Sequence, residues 1–436
     1  MDMLGRRGLN LCRAAWFRSP LEGEHVRASR ERRGVNRASR REPPSLSLPL
    51  KGGGESKWQR CAASHLSPMG RGSVPAFVAA AVLLCASLSR AKAEADHGAI
   101  AREALGEVIR PGYTALAETT GGLSGKVQAL CQQPSSAALK DAKHAFAGAV
   151  AAWSGVEILR FGPVTQDRRY ERLFYWPDPK GLGLKQVRDA LAKKDETVTS
   201  PETLAAKSVA LQGLPALEQL LYGDGAETLS GESLAKGGGD ASFRCRFAAS
   251  IAANVERIAK EVVEGWADGA PFAKVYLDPT PSDPVYHAPK EVTLDLFKTF
   301  ASGIELVRDQ KLGKPLGPSP AEAKPKLASF WRSGLTFANA SGNLDGVRRL
   351  FAKGGFARVV ADDSPGVEDS ILFDLDHAIE VLRSIDKPMA EVVKDEALRA
   401  KLEALRVGLK SAGQTAGDII ARGAGLSFGF NAMDGD

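Results

Sequence analysis

Apolar side chains recur every three or four residues along most of the chain, a spacing that predicts amphipathic helices rather than strands. The clearest helix begins after Ser135 or Ser136, residue types that cap helix N-termini, and ends near Phe161-Gly162-Pro163. Its apolar positions are Leu139, Ala142, Phe146, Val150 and Trp153. Further helices are predicted over residues 100–132, with a disturbance at Pro111, and over 184–193, 200–221, 240–266, 291–310, 321–339, 344–351, 367–384 and 388–410.

A Pro-rich segment divides these helices into two groups. Residues 279–290 contain Pro279, Pro281, Pro284 and Pro289, and proline interrupts helices because it lacks a backbone N–H donor. We therefore expect an all-α fold of two antiparallel helical bundles, residues 94–278 and 291–436, joined by a linker over residues 279–290.

The first 93 residues differ in composition from the rest. Residues 1–68 are rich in Arg and poor in apolar periodicity, which is typical of disorder. From Met69 the pattern is that of a secretory signal: Arg71, an apolar run over residues 74–88, and the cleavage site Ala91-Lys92-Ala93. We predict that translation starts at Met69 and that residues 69–93 are removed on export to the periplasm or cell envelope. The apolar run is shorter than the roughly 20 residues of a membrane-spanning helix, so no transmembrane segment is expected.

Charge and cysteines look different once this leader is set aside. The chain has a net charge of +6, but residues 1–68 hold 14 Lys and Arg against 6 Asp and Glu, and the remainder holds 44 against 46. Nucleic acid is therefore not an expected partner.

The two remaining cysteines are Cys131 and Cys245. A disulfide between them is predicted because cysteines of exported proteins usually pair, and two buried free thiols are the alternative.

Several motifs follow the order seen in one family of exported helical proteins. A helix bearing Trp153 ends in Arg160-Phe161-Gly162-Pro163 and precedes a loop with Phe174-Tyr175-Trp176-Pro177-Asp178. Later segments are Gly213-Leu214-Pro215-Ala216-Leu217-Glu218, Trp331-Arg332-Ser333-Gly334-Leu335, Phe428-Gly429-Phe430-Asn431 and Asp434-Gly435-Asp436. In this order they resemble the imelysin-like family over nearly all of residues 97–436.

The resemblance implies an exported, two-bundle protein, grouped with metallopeptidases because of a Gly-x-His-x-x-Glu motif, with some relatives in iron uptake. Gly213 and Glu218 match that motif, whereas Pro215 stands in place of the His. Without the imidazole, the His–Glu pair that could share a cation is broken, and Glu218 becomes a doubtful metal ligand. Pro215 is also expected to kink its helix. The alternative is a structural kink with Glu218 paired to an Arg.

A relocated metal site is a second candidate. His377 and Glu380 are three residues apart, and Asp374 lies one turn earlier, so Asp374 and His377 could reach one ion. The alternative is a solvated helix face. No His-Glu-x-x-His sequence occurs, so the usual signature of a helix-borne zinc peptidase is missing.

The richest group of candidate binding residues surrounds Trp153. Trp153, Glu157 and Arg160 lie along one helix face. The loop that follows supplies Arg168, Arg172, Trp176 and Asp178. Arg offers a planar fork for carboxylate or phosphate, and Trp offers a flat apolar wall. The alternative is an ion-pair network around two core Trp side chains.

We expect these residues to meet Gly213 and Glu218 at a pocket between the bundles. A buried, unpaired carboxylate is costly, so Glu218 is expected to be buried and bonded to Arg160, Arg168 or Arg172. The sequence thus predicts a periplasmic binding or uptake accessory protein linked to iron or other metal acquisition. A metallopeptidase with a relocated site and a structural envelope protein are the alternatives. The expected partners are a small ligand or metal, with a divalent metal or iron as candidate cofactor, and an envelope uptake component.

Overall fold

Helices account for every regular element in residues 95–236 and 239–426, the part of the chain that the computed structural model describes, apart from the side chains of residues 232 and 233. This confirms the all-α fold. The predicted leader over residues 1–68, the predicted signal peptide over 69–93 and the motif that begins at Phe428 lie outside the described residues. None of the described helices is both long and apolar enough to cross a membrane.

The helices are numbered in chain order. They are α1 (His97–Glu103), α2 (Arg110–Gln132), α3 (Ser136–Val156), α4 (Arg169–Leu173), α5 (Leu182–Lys193), α6 (Pro201–Ala205), α7 (Gly213–Tyr222), α8 (Glu232–Ala235), α9 (Gly239–Gly265), α10 (Pro271–Leu277), α11 (Pro289–Glu305), α12 (Lys314–Leu316), α13 (Thr336–Lys353), α14 (Phe356–Asp363), α15 (Val367–Arg383), α16 (Met389–Val392) and α17 (Glu396–Gly423). Ala104–Ile109 and Leu306–Gly313 are π-helical. Short 3-10 turns lie at Gly162–Val164, Gln166–Arg168, Glu196–Val198, Val209–Leu211, Ala226–Ser230, Pro320–Glu322 and Pro325–Leu327.

In the first half of the chain, α2 packs between α3 and α9, and α7 packs on α9. The predicted cap is confirmed, because the Ser135 side chain accepts a hydrogen bond from the Ala138 N–H at the start of α3. Pro111 lies in the first turn of α2, directly after the π-helical stretch. The predicted disturbance is therefore a local widening of a continuous helix, which accommodates a residue without an N–H donor.

A disulfide ties two of these helices together. Cys131 near the end of α2 and Cys245 in α9 are bonded, with Cα atoms 5.6 Å apart. The predicted pairing is confirmed. By closing a long loop, the bridge restricts the unfolded chain and so favours the folded state.

In the second half, α13 packs against α11, α14 and α15, and α17 covers α11, α14 and α15. Residues 279–288 are not helical, and the buried Tyr286 lies 6.2 Å, centroid to centroid, from Tyr276. Helices α3 and α13 pack against each other and join the two halves. The division into bundles at residues 279–290 stays a prediction.

Two predicted helices are wrong in ways that matter for the site. Residues 200–221 form α6, a 3-10 turn and α7 rather than one helix. Pro215 lies in the first turn of α7, where backbone N–H groups have no partner within the helix, so it starts a helix instead of kinking one.

Residues 321–335 form no α-helix either. Pro320 and Pro325 begin 3-10 turns, and Phe330 and Gly334 take left-handed backbone conformations, with φ of 51° and 74°. These features prevent a continuous helix, and α13 begins only at Thr336.

Candidate functional site

Glu157, at the end of α3, belongs to a buried polar network. Its Oε1 lies 2.6 Å from Lys311 Nζ, and both side chains are fully buried. Its Oε2 accepts hydrogen bonds from the Nδ2 atoms of Asn339 (2.9 Å) and Asn343 (3.0 Å). Lys311 Nζ also donates to Asn339 Oδ1 at 2.6 Å. Both charges therefore have several partners, the condition under which a buried ion pair is tolerated.

Lys311 itself was missed by sequence reasoning. It lies in the π-helical stretch Leu306–Gly313, a kind of helix irregularity that is frequent at functional sites. Its Nζ is 4.3 Å from the ring centroid of Trp176 and 4.7 Å from that of Phe174. Burial lowers the pKa of Lys311 to about 8, and the Glu157 charge acts in the opposite direction. A Lys among charged residues gives no sequence signal for such a position.

Trp153 belongs to the core. It is fully buried, and its ring centroid lies 5.2 Å from that of Tyr170 and 5.7 Å from that of Phe174. For Trp153 and Glu157 the structure therefore matches the alternative interpretation, an ion-pair network beside a core Trp.

The three Arg side chains expected at the site are dispersed. Arg160 stacks over the Tyr170 ring at 4.7 Å. Arg172 donates to Gln212 Oε1 at 3.1 Å, and Arg168 is exposed. The structure places none of them on the cavity described next.

A cavity of about 570 Å³ lies between segments of the two halves of the chain. Its volume falls within the range of small-molecule sites. Its wall includes Trp176, Asp178, Arg188, Glu218, Tyr222 and Arg244 from the first half, and Lys326, Leu327, Phe330, Trp331 and Arg332 from the second. Trp176, Asp178 and Glu218 are thus the predicted site residues that the structure brings together.

Glu218 is buried, as predicted, but its partner is not an Arg. Only 3% of its surface is exposed. Its Oε1 accepts hydrogen bonds from the Ser333 N–H (2.9 Å) and hydroxyl (2.8 Å). The expected bond to Arg160, Arg168 or Arg172 is wrong, because those side chains point to other partners or to solvent. Burial raises the pKa of Glu218, and the hydrogen bonds from Ser333 lower it in part.

Trp176 and Asp178 use their polar atoms to hold the cavity wall in place. The Trp176 indole N–H donates to the Leu327 carbonyl at 3.0 Å, which links the loop to the second half. The Asp178 carboxylate accepts from the backbone N–H groups of Leu182 and Gly183, both at 2.8 Å, at the start of α5. These residues fix the shape of the wall.

Gly213 positions the helix that carries Glu218. Its φ is +78°, and a Cβ there would lie 2.4 Å from the Leu173 carbonyl oxygen and 2.5 Å from that of Arg172. Only Gly adopts this conformation readily at such a close approach. Its place in the motif is therefore explained by backbone packing.

The wall from Lys326 to Arg332 was also missed as part of the site. The Arg332 guanidinium lies 4.2 Å from the Trp331 ring centroid, and Lys326 Nζ lies 5.7 Å from it. Trp331 and Arg332 of this wall belong to the segment Trp331-Arg332-Ser333-Gly334-Leu335, which resembles the family but to which the sequence assigns no role. The resemblance thus pointed to this segment, but the predicted helix over 321–339 gave its backbone the wrong conformation.

The candidate metal ligands Glu218, His377 and Glu380 do not form a metal site in the part of the chain that the structure describes. Pro215 offers no imidazole, and Glu218 already accepts two hydrogen bonds from Ser333. On α15, His377 and Glu380 are exposed, and the His377 ring stacks on Phe373. Among residues 95–236 and 239–426, no three His, Cys, Asp or Glu side chains lie close enough together to hold an ion.

Comparisons with known proteins give one consistent result. The family model described as Imelysin (Peptidase M75) matches residues 109–414. A solved imelysin-like protein from Psychrobacter arcticum 273-4 is 18% identical, with a TM-score of 0.61, over 77% of this chain and 97% of that one. A protein from Parabacteroides distasonis ATCC 8503, assigned as an iron-regulated protein A precursor, is 14% identical, with a TM-score of 0.62, over 76% and 97%. No curated protein matches the sequence.

Proposed function

Because the chain belongs to the imelysin family, we propose that it is an exported periplasmic binding protein that assists uptake, and that its ligand occupies the cavity beside Glu218. The observation that carries this proposal is the cavity of about 570 Å³ with a buried carboxylate in its wall. A buried carboxylate bonded only by neutral donors is costly, and such groups are more common at binding sites than in cores.

The cavity favours a small molecule over a bare metal ion. Its wall carries four basic side chains, Arg188, Arg244, Lys326 and Arg332, against three acidic ones, Asp178, Glu218 and Asp224, and this positive excess disfavours a free cation. A structural relative is assigned as an iron-regulated protein precursor, and this supports a role in iron acquisition as the process that the binding serves. We propose that any metal involved reaches this chain as part of a larger ligand.

The proposal is tested on protein purified from the envelope fraction without added metal. Native mass spectrometry should show a co-purified small molecule, and elemental analysis should show less than one metal ion per chain. Leu184 lines the cavity, so Leu184→Trp should fill it and remove the added mass. Leu182, on the same helix but outside the cavity, provides the matched control Leu182→Trp. Stoichiometric metal that survives Leu184→Trp, without any small molecule, contradicts the proposal.

Export is tested separately. The pattern over residues 69–93 motivates the expectation that the mature protein starts within a few residues of Glu94. N-terminal sequencing of envelope-purified protein measures this directly. Recovery of protein that still contains residues 27–41 contradicts it.

A further inference from the structure

We propose that the ligand of this cavity is a small organic anion, with a carboxylate that Arg332 binds and a planar group that lies against Trp331 or Trp176. This inference rests on the proposed binding function and specifies its ligand class. It is carried by the charges of the wall, by the free donors of Arg332 and by the aromatic surfaces beside them.

The first step is that Arg332 has no protein partner for its donors. Its guanidinium lies over the Trp331 ring, yet it makes no hydrogen bond or ion pair with any residue in 95–236 or 239–426. Partial burial lowers the pKa of Arg332, whereas the nearby charges of Glu218, Asp224 and Asp178 raise it in part. A guanidinium has five N–H donors in a planar fork that matches a carboxylate. Those donors are available to a ligand in the cavity.

The second step is that the acids of the wall are already occupied. Asp178 accepts two backbone N–H groups, and Glu218 accepts the two donors of Ser333. Asp224 pairs with Arg188 at 3.1 Å. None of these acids forms an ion pair with Arg332, and the charges of Glu218, Asp224 and Asp178 offset its positive charge only in part.

The remaining wall cations add to the positive field. Arg244 donates to the carbonyl oxygens of Leu220 and Asp224, which carry no full charge. Lys326 contacts the Trp331 ring. The wall therefore carries more basic than acidic side chains, and a concave site with an excess of positive charge concentrates anions. The same field disfavours an isolated metal cation, whereas a metal bound in an anionic complex shares the chemistry of a free organic anion.

The third step concerns shape. Trp331 is half-buried and lines the cavity together with Trp176, whose ring is fixed by its hydrogen bond to the Leu327 carbonyl. Aromatic rings offer large apolar faces on which planar groups pack well. A planar group beside a carboxylate would use both the rings and the Arg332 fork.

The test compares salicylate with salicylamide, which has nearly the same shape but no carboxylate. Equilibrium dialysis of the mature chain near neutral pH should show salicylate binding about tenfold more tightly, the effect of one charge-assisted hydrogen bond. Arg332→Gln should remove this preference and leave salicylamide binding unchanged, and Arg332→Lys should retain part of it. Arg383→Gln, an exposed Arg on α15, is the matched control. Thermal unfolding of each variant checks that it is folded.

Further arms separate the outcomes. Addition of Fe(III) to the salicylate arm shows whether the free anion or its ferric complex is the better ligand, and in either case the preference must depend on Arg332. Equal affinity for salicylate and salicylamide, or a preference that survives Arg332→Gln, overturns the inference. Failure of salicylate to bind at all also overturns it. In each of these three cases the proposed binding function is still tested separately, by whether Leu184→Trp removes the co-purified molecule.

Discussion

Glu157 and Glu218 are both buried carboxylates on the first half of the chain, and both reach partners in the second half. Glu157 meets a Lys ammonium and two Asn amides, whereas Glu218 meets the backbone and hydroxyl of one Ser. In the first case a cation balances the charge within the protein. In the second case Arg332, on the cavity wall, forms no ion pair with the carboxylate, and its charge lowers the pKa of Glu218 only against the larger effect of burial.

The difference separates a site that is complete from a site that is open. Every charged atom around Glu157 has a protein partner, and no solvent reaches it, so this network holds α3 against the π-helical stretch and α13. Around Glu218, by contrast, the carboxylate has no ion-pair partner among the described residues, and the Arg332 guanidinium beside the cavity has none either. Since buried charge needs an opposite charge, this open site is where we propose that a ligand binds.

The largest loss of stability is expected when the buried network around Glu157 is broken. Lys311→Met leaves Glu157 as a buried, unpaired charge and should lower the free energy of unfolding by about 3–5 kcal/mol. The double variant Glu157→Gln/Lys311→Met should recover most of that loss, because neither charge then needs a partner. Urea unfolding measures both, and Lys353→Met, an exposed Lys on α13, is the control. Additive losses in the double variant would show that the pair is not coupled.

Gly213→Ala tests the backbone that positions Glu218, and it should lower the free energy of unfolding less than Lys311→Met does. The left-handed conformation and the two nearby carbonyl oxygens force a shift of α7, at a cost of about 1–3 kcal/mol. The shift should also weaken ligand binding, because α7 carries Glu218. Gly148→Ala is the matched control, since a Cβ at that position on α3 meets nothing within 4 Å. Equal unfolding free energies for the two variants would contradict the backbone role of Gly213.

The sequence predicted local and paired features better than the site. The Ser135 cap, the Cys131–Cys245 disulfide and the burial of Glu218 follow from residue type, compartment and motif, all of which can be read along the chain. The apolar spacing runs through Pro215 and predicts a helix interior there, whereas the helix begins only two residues earlier, at Gly213.

The partners of the two carboxylates could not be read in this way. Lys311 lies among charged residues, which normally indicates a solvated face, and its partner Glu157 is distant in sequence. Arg332 and Ser333 lie in a segment whose apolar residues suggested a helix. Tertiary packing decides both positions, and packing between distant segments leaves no periodic signal in a single sequence.

The smallest effect on stability, and the sharpest comparison, is expected for Glu218→Gln. The Gln side chain keeps the shape and an oxygen acceptor for Ser333, so its unfolding free energy should stay within about 1 kcal/mol of the parent protein. The pH dependence should differ. Burial raises the pKa of Glu218 in the folded state above its ordinary value of 4.5. At a pH between 4.5 and this raised pKa, the folded state therefore holds a proton that the unfolded state has released. The parent protein therefore loses stability as the pH rises through this window, and the Gln variant does not.

Urea unfolding of both proteins below pH 4.5 and at neutral pH measures the change, with Glu118→Gln, an exposed residue on α2, as the control. A difference that stays constant with pH would mean that Glu218 ionises in the fold as readily as in the unfolded chain. Its charge would then be balanced by a cation, as that of Glu157 is, and the contrast between the open and the closed site would be lost.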